Sequence, residues 1–518
     1  MRLLGTVILS GIFCLSSSQV ARSAEIKIVD NNVFVETDAY QVQFMDGVIT
    51  HLSNKLTEET YTLPLGVGGV TGFRGRSGLL RRNIGSIWTD QATRTEARKI
   101  APLKAEIVFH QEQNTFRLLI GVDARSGDLL IEQEGTSDTA GVYGIQWGCG
   151  NLNIRNLDLI LPAVGGQIIN AASPVTSRSF NYPGSWEVQL AILQGNQGGF
   201  SVRGADETFQ FKVLHYEKDI DSFALGFETQ NQAPFDTLTS AQSITWRLNT
   251  YTGDWRVPAR QYRDWMERTF KPWRLDEMPA WVQDIGFVLT CDLDTEVLNQ
   301  LAEEIDPTKT LLYVVGWRRD GYDRNYPDYT AKPAFGNFVE VAHQYGFRVM
   351  PHVNLVGVST YHPSYAEFQK YQYRSAWTGN LDGWEWEKIG SPTRFAYINL
   401  ASSSFRKFFV QRLKAVWEAY KVDAFHLDIS HAAPNDANGW IEGLNFAQGN
   451  ARIHTELAES LPGVVFSGEH LHEVTFFRES FAQRWELPPE ITPHPISSFL
   501  FFLYTLPYGY LGLGNPDL

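Results

Sequence analysis

Apolar and polar residues alternate in short runs over residues 25–252. The run Tyr40–Phe44 is one example, and it leads through a hairpin turn at Asp46-Gly47 into another run. Alternation with a period of two indicates strands that are buried on one face. Because many short strands separated by turns are typical of an antiparallel β-sandwich, we predict a large sandwich over this part of the chain.

The spacing of apolar residues becomes helical in residues 253–280. Tyr262, Trp265 and Met266 fall on one face of a predicted helix, and Pro258 suits its first turn. We expect this stretch to be a helical linker whose aromatic face packs between two domains.

Strand-like and helical runs alternate in residues 281–518, which is typical of a (β/α)8 barrel of the TIM type. The predicted barrel strands are Ile285–Leu289, Thr310–Val315, Arg348–Val353, Val422–Asp428, Val464–Ser467 and a sixth near His494–Phe501. The sequence ends soon after this sixth strand. We therefore expect at most six parallel strands, a barrel truncated at its C-terminus, and a chain that is a fragment.

Residues 1–24 have the outline of a secretory signal peptide. Arg2 is followed by the apolar run Leu3–Leu15 and then by mostly small residues up to Ala24. This run is too short to cross a membrane, and no later segment is apolar enough for membrane insertion. The pattern predicts a protein that is secreted or periplasmic.

The formal net charge of −14 argues against nucleic acid and anionic lipid as partners, because both need a basic surface. Cys149 and Cys291 lie outside the leader, and each follows an apolar stretch. We expect both to be buried free thiols. The pattern leaves the oligomeric state open.

Candidate catalytic groups stand at the ends of the fourth and fifth predicted strands. Asp428 shares a strand face with His426, and Glu469 follows the next strand 41 residues later. In this fold ligands bind at the carboxyl ends of the strands. Retaining glycoside hydrolysis needs two carboxyl groups about 5–5.5 Å apart, one ionised to attack the anomeric carbon and one protonated to assist the leaving oxygen. Asp428 and Glu469 are therefore the predicted catalytic pair.

Other side chains at predicted strand ends are candidates for binding a carbohydrate substrate. These are Trp317, Arg318, Asp323, His352, Asn354, His426 and His470. Several of them also have a structural interpretation as turn or core residues. Asp423 lies lower on the fourth strand and faces the helices, so we interpret it as structural, and we interpret Glu473 as a loop carboxylate. No cluster of residues specifies a metal or another cofactor.

Two short motifs carry a family resemblance, Phe-His-Leu-Asp at residues 425–428 and Ser-Gly-Glu at residues 467–469. They resemble the retaining (β/α)8 glycoside hydrolases of the alpha-amylase-like superfamily, including endo-alpha-N-acetylgalactosaminidase relatives. The chain looks closest to an uncharacterised glycosidase-like family in which a β-sandwich precedes the barrel. The resemblance implies that Asp428 is the nucleophile and Glu469 the general acid/base.

The sequence departs from that family pattern in two places. His426 stands where alpha-amylases usually carry Arg, and their seventh-strand His-Asp pair has no counterpart. Alpha-galactosidase-like barrels are a further possibility, but they take their acid from a sixth-strand Asp, and no Asp lies between Arg484 and Phe499.

Two other function classes remain open from the residues. A non-catalytic carbohydrate-binding protein would keep the groove of a degenerate glycosidase fold without its full machinery. A metal-dependent hydrolase could bring His352, His426, Asp428, Glu469, His470 and His494 together, although the first predicted strand has no His-x-His pair. The sugar, the linkage and the choice between internal and terminal cleavage are also open.

Overall fold

Short strands with alternating burial make up the first half of the protein. The computed structural model describes residues 23–64, 75–321, 324–384, 395–484 and 490–509. In strand β3, Tyr40, Val42 and Phe44 are buried, and the residues between them are exposed or half-buried. This is the burial that the sequence alternation predicts. The strands of this half, in chain order, are β1 Ala24–Val29, β2 Asn32–Thr37, β3 Tyr40–Met45, β4 Val48–Asn54, β5 Glu59–Thr60, β6 Gly78–Arg81, β7 Ile87–Trp88, β8 Arg94–Ala101, β9 Lys104–Gln111, β10 Asn114–Val122, β11 Leu129–Thr136, β12 Val142–Asn153, β13 Asp158–Leu161, β14 Gln167–Ile169, β15 Ser177–Tyr182, β16 Leu190–Gln194, β17 Gly198–Arg203, β18 Lys212–Lys218, β19 Ser222–Gln230, β20 Ser240–Gln242 and β21 Trp246–Thr252.

The second half alternates strands with helices. Its strands are β22 Phe287–Thr290, β23 Thr310–Val314, β24 Arg348–Asn354, β25 Gly357–Ser359, β26 Gly383–Trp384, β27 Phe395–Tyr397, β28 Ala424–Asp428, β29 Val465–Glu469, β30 Phe481–Arg484, β31 Thr492–Pro493 and β32 Leu506–Gly509. The α-helices of the described residues are α1 Arg256–Phe270, α2 Trp281–Asp284, α3 Thr295–Glu304, α4 Ala334–Tyr345, α5 Tyr365–Phe368, α6 Ser403–Tyr420, α7 Phe446–Ser460 and α8 Ile496–Phe501. Among the described residues, no helix is both long and apolar enough to span a membrane.

Two eleven-stranded sheets pack face to face, and all their strands come from the first half except β31, which pairs with β14 at the edge of one sheet. One follows the order β1-β2-β3-β4-β12-β19-β18-β15, and the other runs from β31 and β14 through β13-β16-β17-β21-β11-β10-β9 to β8. Rings from the two sheets meet in one shared core, where Phe227 of β19 lies 5.3 Å from Trp246 of β21. The pairing is antiparallel except between β4 and β12. The first half is thus mostly β structure, as predicted. Cys149 and Cys291 are free thiols; Cys149 is buried as expected, whereas Cys291 is half-buried.

Helix α1 connects the sandwich to the second half. Its buried residues include Tyr262 and Met266. Both belong to an apolar cluster that also contains Leu190 of β16 and Leu500 of α8. The aromatic face of the predicted linker helix therefore packs between the two halves, as expected.

The second half is built on a nearly closed sheet of seven parallel strands in the order β22-β23-β24-β28-β29-β30-β32. The prediction of at most six strands is wrong, and so is the position of the sixth. Strand six is β30, whereas Ile496, Leu500 and Phe501 lie on the buried face of α8. An apolar run of this length fits either a strand or a buried helix, and here packing against α1 favours the helix.

The inward faces of three adjacent strands become more polar towards their carboxyl ends. The successive inward residues are Met350, His352 and Asn354 on β24, Ala424, His426 and Asp428 on β28, and Val465, Ser467 and Glu469 on β29. Met350, Ala424 and Val465 pack with Val282 of α2 in an apolar cluster. The barrel is therefore filled by apolar side chains at one end and presents amide and carboxyl groups at the other, where ligands bind in this fold.

Candidate active site

Asp428 and Glu469 end two neighbouring strands at the same level. The last paired residues before them are Leu427 and Gly468, and neighbouring strands lie about 4.8 Å apart. The residue after each carboxylate has a left-handed backbone, with φ of 60° at Ile429 and 63° at His470. A β-branched residue in this region is a genuine outlier. Because of this turn, the Ile429 amide donates to Glu469 Oε2 at 2.9 Å, so the second carboxyl group leans towards the first strand.

Asn354 holds the carboxylate of Asp428. Its Nδ2 donates to Asp428 Oδ2 at 2.7 Å, and its Oδ1 accepts from the amides of Val356 and Gly357 at 3.2 and 2.7 Å. Two backbone donors on Oδ1 define which end of the side-chain amide is the oxygen. The amide is buried, so its N–H group is presented to Asp428 in a fixed direction.

A buried layer of imidazole, phenol and hydroxyl groups lies beneath the pair. The His426 Nδ1 lies 3.2 Å from Ser467 Oγ and 3.1 Å from the Tyr508 hydroxyl, and the His352 Nδ1 lies 2.7 Å from the Tyr313 hydroxyl. Burial lowers the pKa of His426 to about 3. Burial, with His426 and Arg318 nearby, also holds the pKa of His352 well below its ordinary value. Both rings are therefore neutral near pH 7.

The neutral His352 ring faces Asp428 with its second nitrogen. Its Nε2 lies 3.8 Å from Asp428 Oδ2. A tyrosine hydroxyl that donates to Nδ1 of a neutral imidazole leaves the ring proton on Nε2. In that tautomer the Nε2–H of His352 faces Asp428, in addition to the Nδ2–H of Asn354. Both N–H groups favour the ionised form of Asp428.

Glu469 is held chiefly by the loop that follows β28. Ser430 Oγ accepts from the Glu469 amide at 3.0 Å, and the Nδ1 of His431 lies 3.5 Å from Glu469 Oε2. The side chain of Glu469 is 7% exposed and that of Asp428 13%, so both carboxyl groups are largely shielded from solvent. His431 is a site residue that the sequence interpretation did not single out. Its place three residues after Asp428 was the only local signal.

Two candidate substrate contacts turn out to support the loop after β23. Trp317 is fully buried and donates through its indole N–H to the His352 carbonyl at 2.8 Å. Arg318 is also buried, and its guanidinium donates to the carbonyls of Gly321, Arg324 and Asp328. With their donors used internally, both residues hold the chain under the site. Asp323 lies outside the described residues.

His470 lies beside the pair, and Asp423 lies far below it. The His470 ring is 4.9 Å from that of His431, and burial, together with His431, Arg484 and His472, lowers its pKa to about 3. Asp423 accepts from His343, Arg348 and the Val349 amide near the start of β28. These contacts agree with the structural interpretation of Asp423. Among the described residues, no three His, Cys, Asp or Glu side chains are arranged to hold a metal ion.

Comparison with known proteins adds a family match and a fold. Residues 241–449 match the model of a domain of unknown function, DUF6259. That segment contains Asn354 and Asp428 and ends before Glu469. No curated protein matches the sequence.

Solved structures of the alpha-N-acetylgalactosaminidase NagBb from Bifidobacterium bifidum are similar to this chain over most of its length. The ligand-free form has a TM-score of 0.69 at 13% identity, covering 90% of this chain and 84% of that one. The complex with GalNAc has a TM-score of 0.71 at 12% identity, covering 93% and 83%. The chain thus has the fold of a glycoside hydrolase. The expected glycosidase-like fold is confirmed, whereas these neighbours do not support the alpha-amylase-like superfamily in particular.

Proposed function

We propose that this protein is a retaining glycoside hydrolase, with Asp428 as nucleophile and Glu469 as general acid/base. The observation that carries the proposal is the placement of the two carboxylates at the same level of adjacent strands. A strand spacing of about 4.8 Å suits the separation of about 5–5.5 Å required for retention, and not the 6.5–9.5 Å that inversion requires. The lean of Glu469 towards Ile429 supports the shorter separation.

The surroundings of Asp428 suit its proposed role. Asn354 donates an N–H to Asp428, and the neutral His352 ring places no charge beside it. The hydrogen bond from Asn354 favours the anion that attacks the anomeric carbon. Glu469 gives its proton to the departing oxygen and then takes one from the water that releases the sugar from Asp428. The sequence His-x-Asp of β28 thus places a neutral ring directly beneath the nucleophile.

The proposed substrate is a carbohydrate with an O-glycosidic bond. The fold neighbour is named an alpha-N-acetylgalactosaminidase and was solved with GalNAc. An aryl α-glycoside of N-acetylgalactosamine is therefore the first substrate to assay. We also propose that residues 1–24 direct export, so that the substrate is met outside the cytoplasm.

Azide rescue tests the two roles separately. Asp428→Ala should abolish hydrolysis, because no glycosyl-enzyme can form. Glu469→Ala should still glycosylate Asp428 from aryl glycosides with good leaving groups, and then stall for want of a base. Added azide needs no base, so it should restore turnover of Glu469→Ala and give a glycosyl azide of retained configuration. Azide acting on Asp428→Ala should give the inverted product.

Two results would contradict this assignment. One is azide products of the same configuration from both variants, and the other is unchanged hydrolysis by Glu469→Ala of a glycan that the native protein cleaves. Glycan binding without hydrolysis by the native full-length chain would favour a non-catalytic carbohydrate-binding protein instead.

A further inference from the structure

The loop that follows Glu469 is inserted into the β-sandwich. Leu471 and Val474 are buried, and Val474 belongs to the apolar core shared by the two sandwich sheets. Leu471 lies in the cluster that includes Val188 and Leu190 of the sandwich. The backbone of the proposed acid/base is therefore continuous with a segment that packs against the sandwich.

A buried carboxylate fastens this loop. Glu473 is fully buried, and its side chain accepts from the Tyr182 hydroxyl, from Gln189 Nε2, and from the Tyr262 hydroxyl at 2.6 Å. Tyr182 and Gln189 come from the sandwich, and Tyr262 comes from α1. Burial raises the pKa of Glu473, and the three donors together with the buried Lys212 oppose that rise. A carboxylate that accepts three hydrogen bonds in a dry site has a single well-defined position.

Glu473 is linked to Glu469 in two ways, through the intervening chain and through a contact of His472. Glu473 is four residues further along the chain, and its amide donates to the Glu187 carbonyl at 2.9 Å. His472, the residue before it, lies with Nε2 3.0 Å from the carbonyl oxygen of His431, whose imidazole adjoins Glu469. A displacement of the loop would therefore move the backbone of the acid/base and its neighbouring ring together.

We propose that Glu473 is a positioning residue for the general acid/base, through which the sandwich sets the orientation of Glu469 towards the leaving group. This inference rests on the proposed glycosidase function. It assigns the sandwich a part in proton transfer, in addition to any part in folding. A misplaced acid slows substrates whose leaving oxygen needs a proton and leaves substrates with acidic phenols almost unaffected.

The test compares leaving groups in the full-length chain. Glu473→Gln keeps the volume of the side chain but replaces one acceptor oxygen with an NH2 group. This group is a hydrogen-bond donor and would face the donors that now bind the carboxylate. Its kcat/KM for a 4-methoxyphenyl glycoside should fall by about tenfold or more relative to native, since full removal of an acid costs a factor of about 10²–10⁴. Its kcat/KM for the 2,4-dinitrophenyl glycoside of the same sugar should change by less than about twofold, because that phenol leaves without a proton. Tyr262→Phe removes one of the three donors to Glu473. It should change the ratio of kcat/KM between the two substrates in the same direction, but by a smaller factor.

Asp128→Asn is the matched control. Asp128 is a buried sandwich carboxylate held by Arg203, Arg247 and Asn249. This variant should unfold more easily and still keep the native ratio between the two substrates. A native ratio in Glu473→Gln or, should that variant fail to fold, in Tyr262→Phe overturns the inference. Glu469→Gln separates the two hypotheses. If it keeps the native ratio of kcat/KM between the two substrates, the proposed role of Glu469 itself is refuted. If Glu469→Gln alters that ratio and Glu473→Gln does not, only the positioning role is refuted.

Discussion

The sharpest test of the nucleophile is the replacement of its amide partner by a second carboxylate. Asn354→Asp keeps the shape of the side chain, and the new Oδ1 can still accept from the amides of Val356 and Gly357. Only the N–H donor to Asp428 is lost, and an oxygen takes its place 2.7 Å from Oδ2. The perturbation is therefore confined to the electrostatics of the nucleophile.

The size of the effect follows from that distance. At 2.7 Å and an effective dielectric constant of about 20, two carboxylate charges repel by about 6 kcal/mol. The pair avoids this cost by sharing one proton, which is released about four pH units higher than the proton of an isolated carboxyl group. Because the amides of Val356 and Gly357 stabilise the ionised form of the new side chain, the shared proton lies mainly on Asp428. The attacking anion is therefore depleted until the pair loses that proton.

The assay is the pH profile of kcat/KM on an aryl glycoside. We expect the acid limb of the Asn354→Asp profile to move upward by two or more pH units, and activity at pH 5 to fall at least about tenfold. Asn399→Asp is the matched control, since Asn399 is buried and donates to Asp436 Oδ2 at 2.6 Å without contacting Asp428. An acid limb left in place by Asn354→Asp, or moved equally by both variants, would refute the assignment of Asp428.

Two further predictions concern stability. Because burial lowers the pKa of His426 to about 3 and that of His472 to about 4, the unfolded chain takes up protons below about pH 6.5 while the folded chain does not. These two rings should therefore lower the free energy of unfolding in urea by at least about 4 kcal/mol between pH 7 and pH 5, and equal values at the two pH values would contradict neutral burial of these rings. In Gly468→Ala the new methyl group would meet the buried carboxylate of Glu479, so stability should fall by about 1–3 kcal/mol. Gly286→Ala, with open space around it, should cost much less, and equal losses would refute the packing argument.

Local patterns predicted much of the fold and of the candidate pair. A strand places every second side chain on one face, so the spacing of Ala424, His426 and Asp428 was enough to align them towards the barrel interior. The succession of strands then placed Glu469 beside Asp428, because consecutive parallel strands of such a barrel are neighbours. Neither inference needs a contact between distant parts of the chain.

Other features depended on contacts that no local pattern encodes. The run Ile496–Phe501 is apolar enough for a strand, and only the surface of α1 made it a helix. Arg318 follows a predicted strand as a ligand would, yet three loop carbonyls take its donors. The partners of Glu473 include Tyr182 and Tyr262, which lie 291 and 211 residues away in sequence. Alternation and helical spacing report which face of an element is buried, whereas the partner of a buried polar group is decided by which elements the tertiary fold brings together.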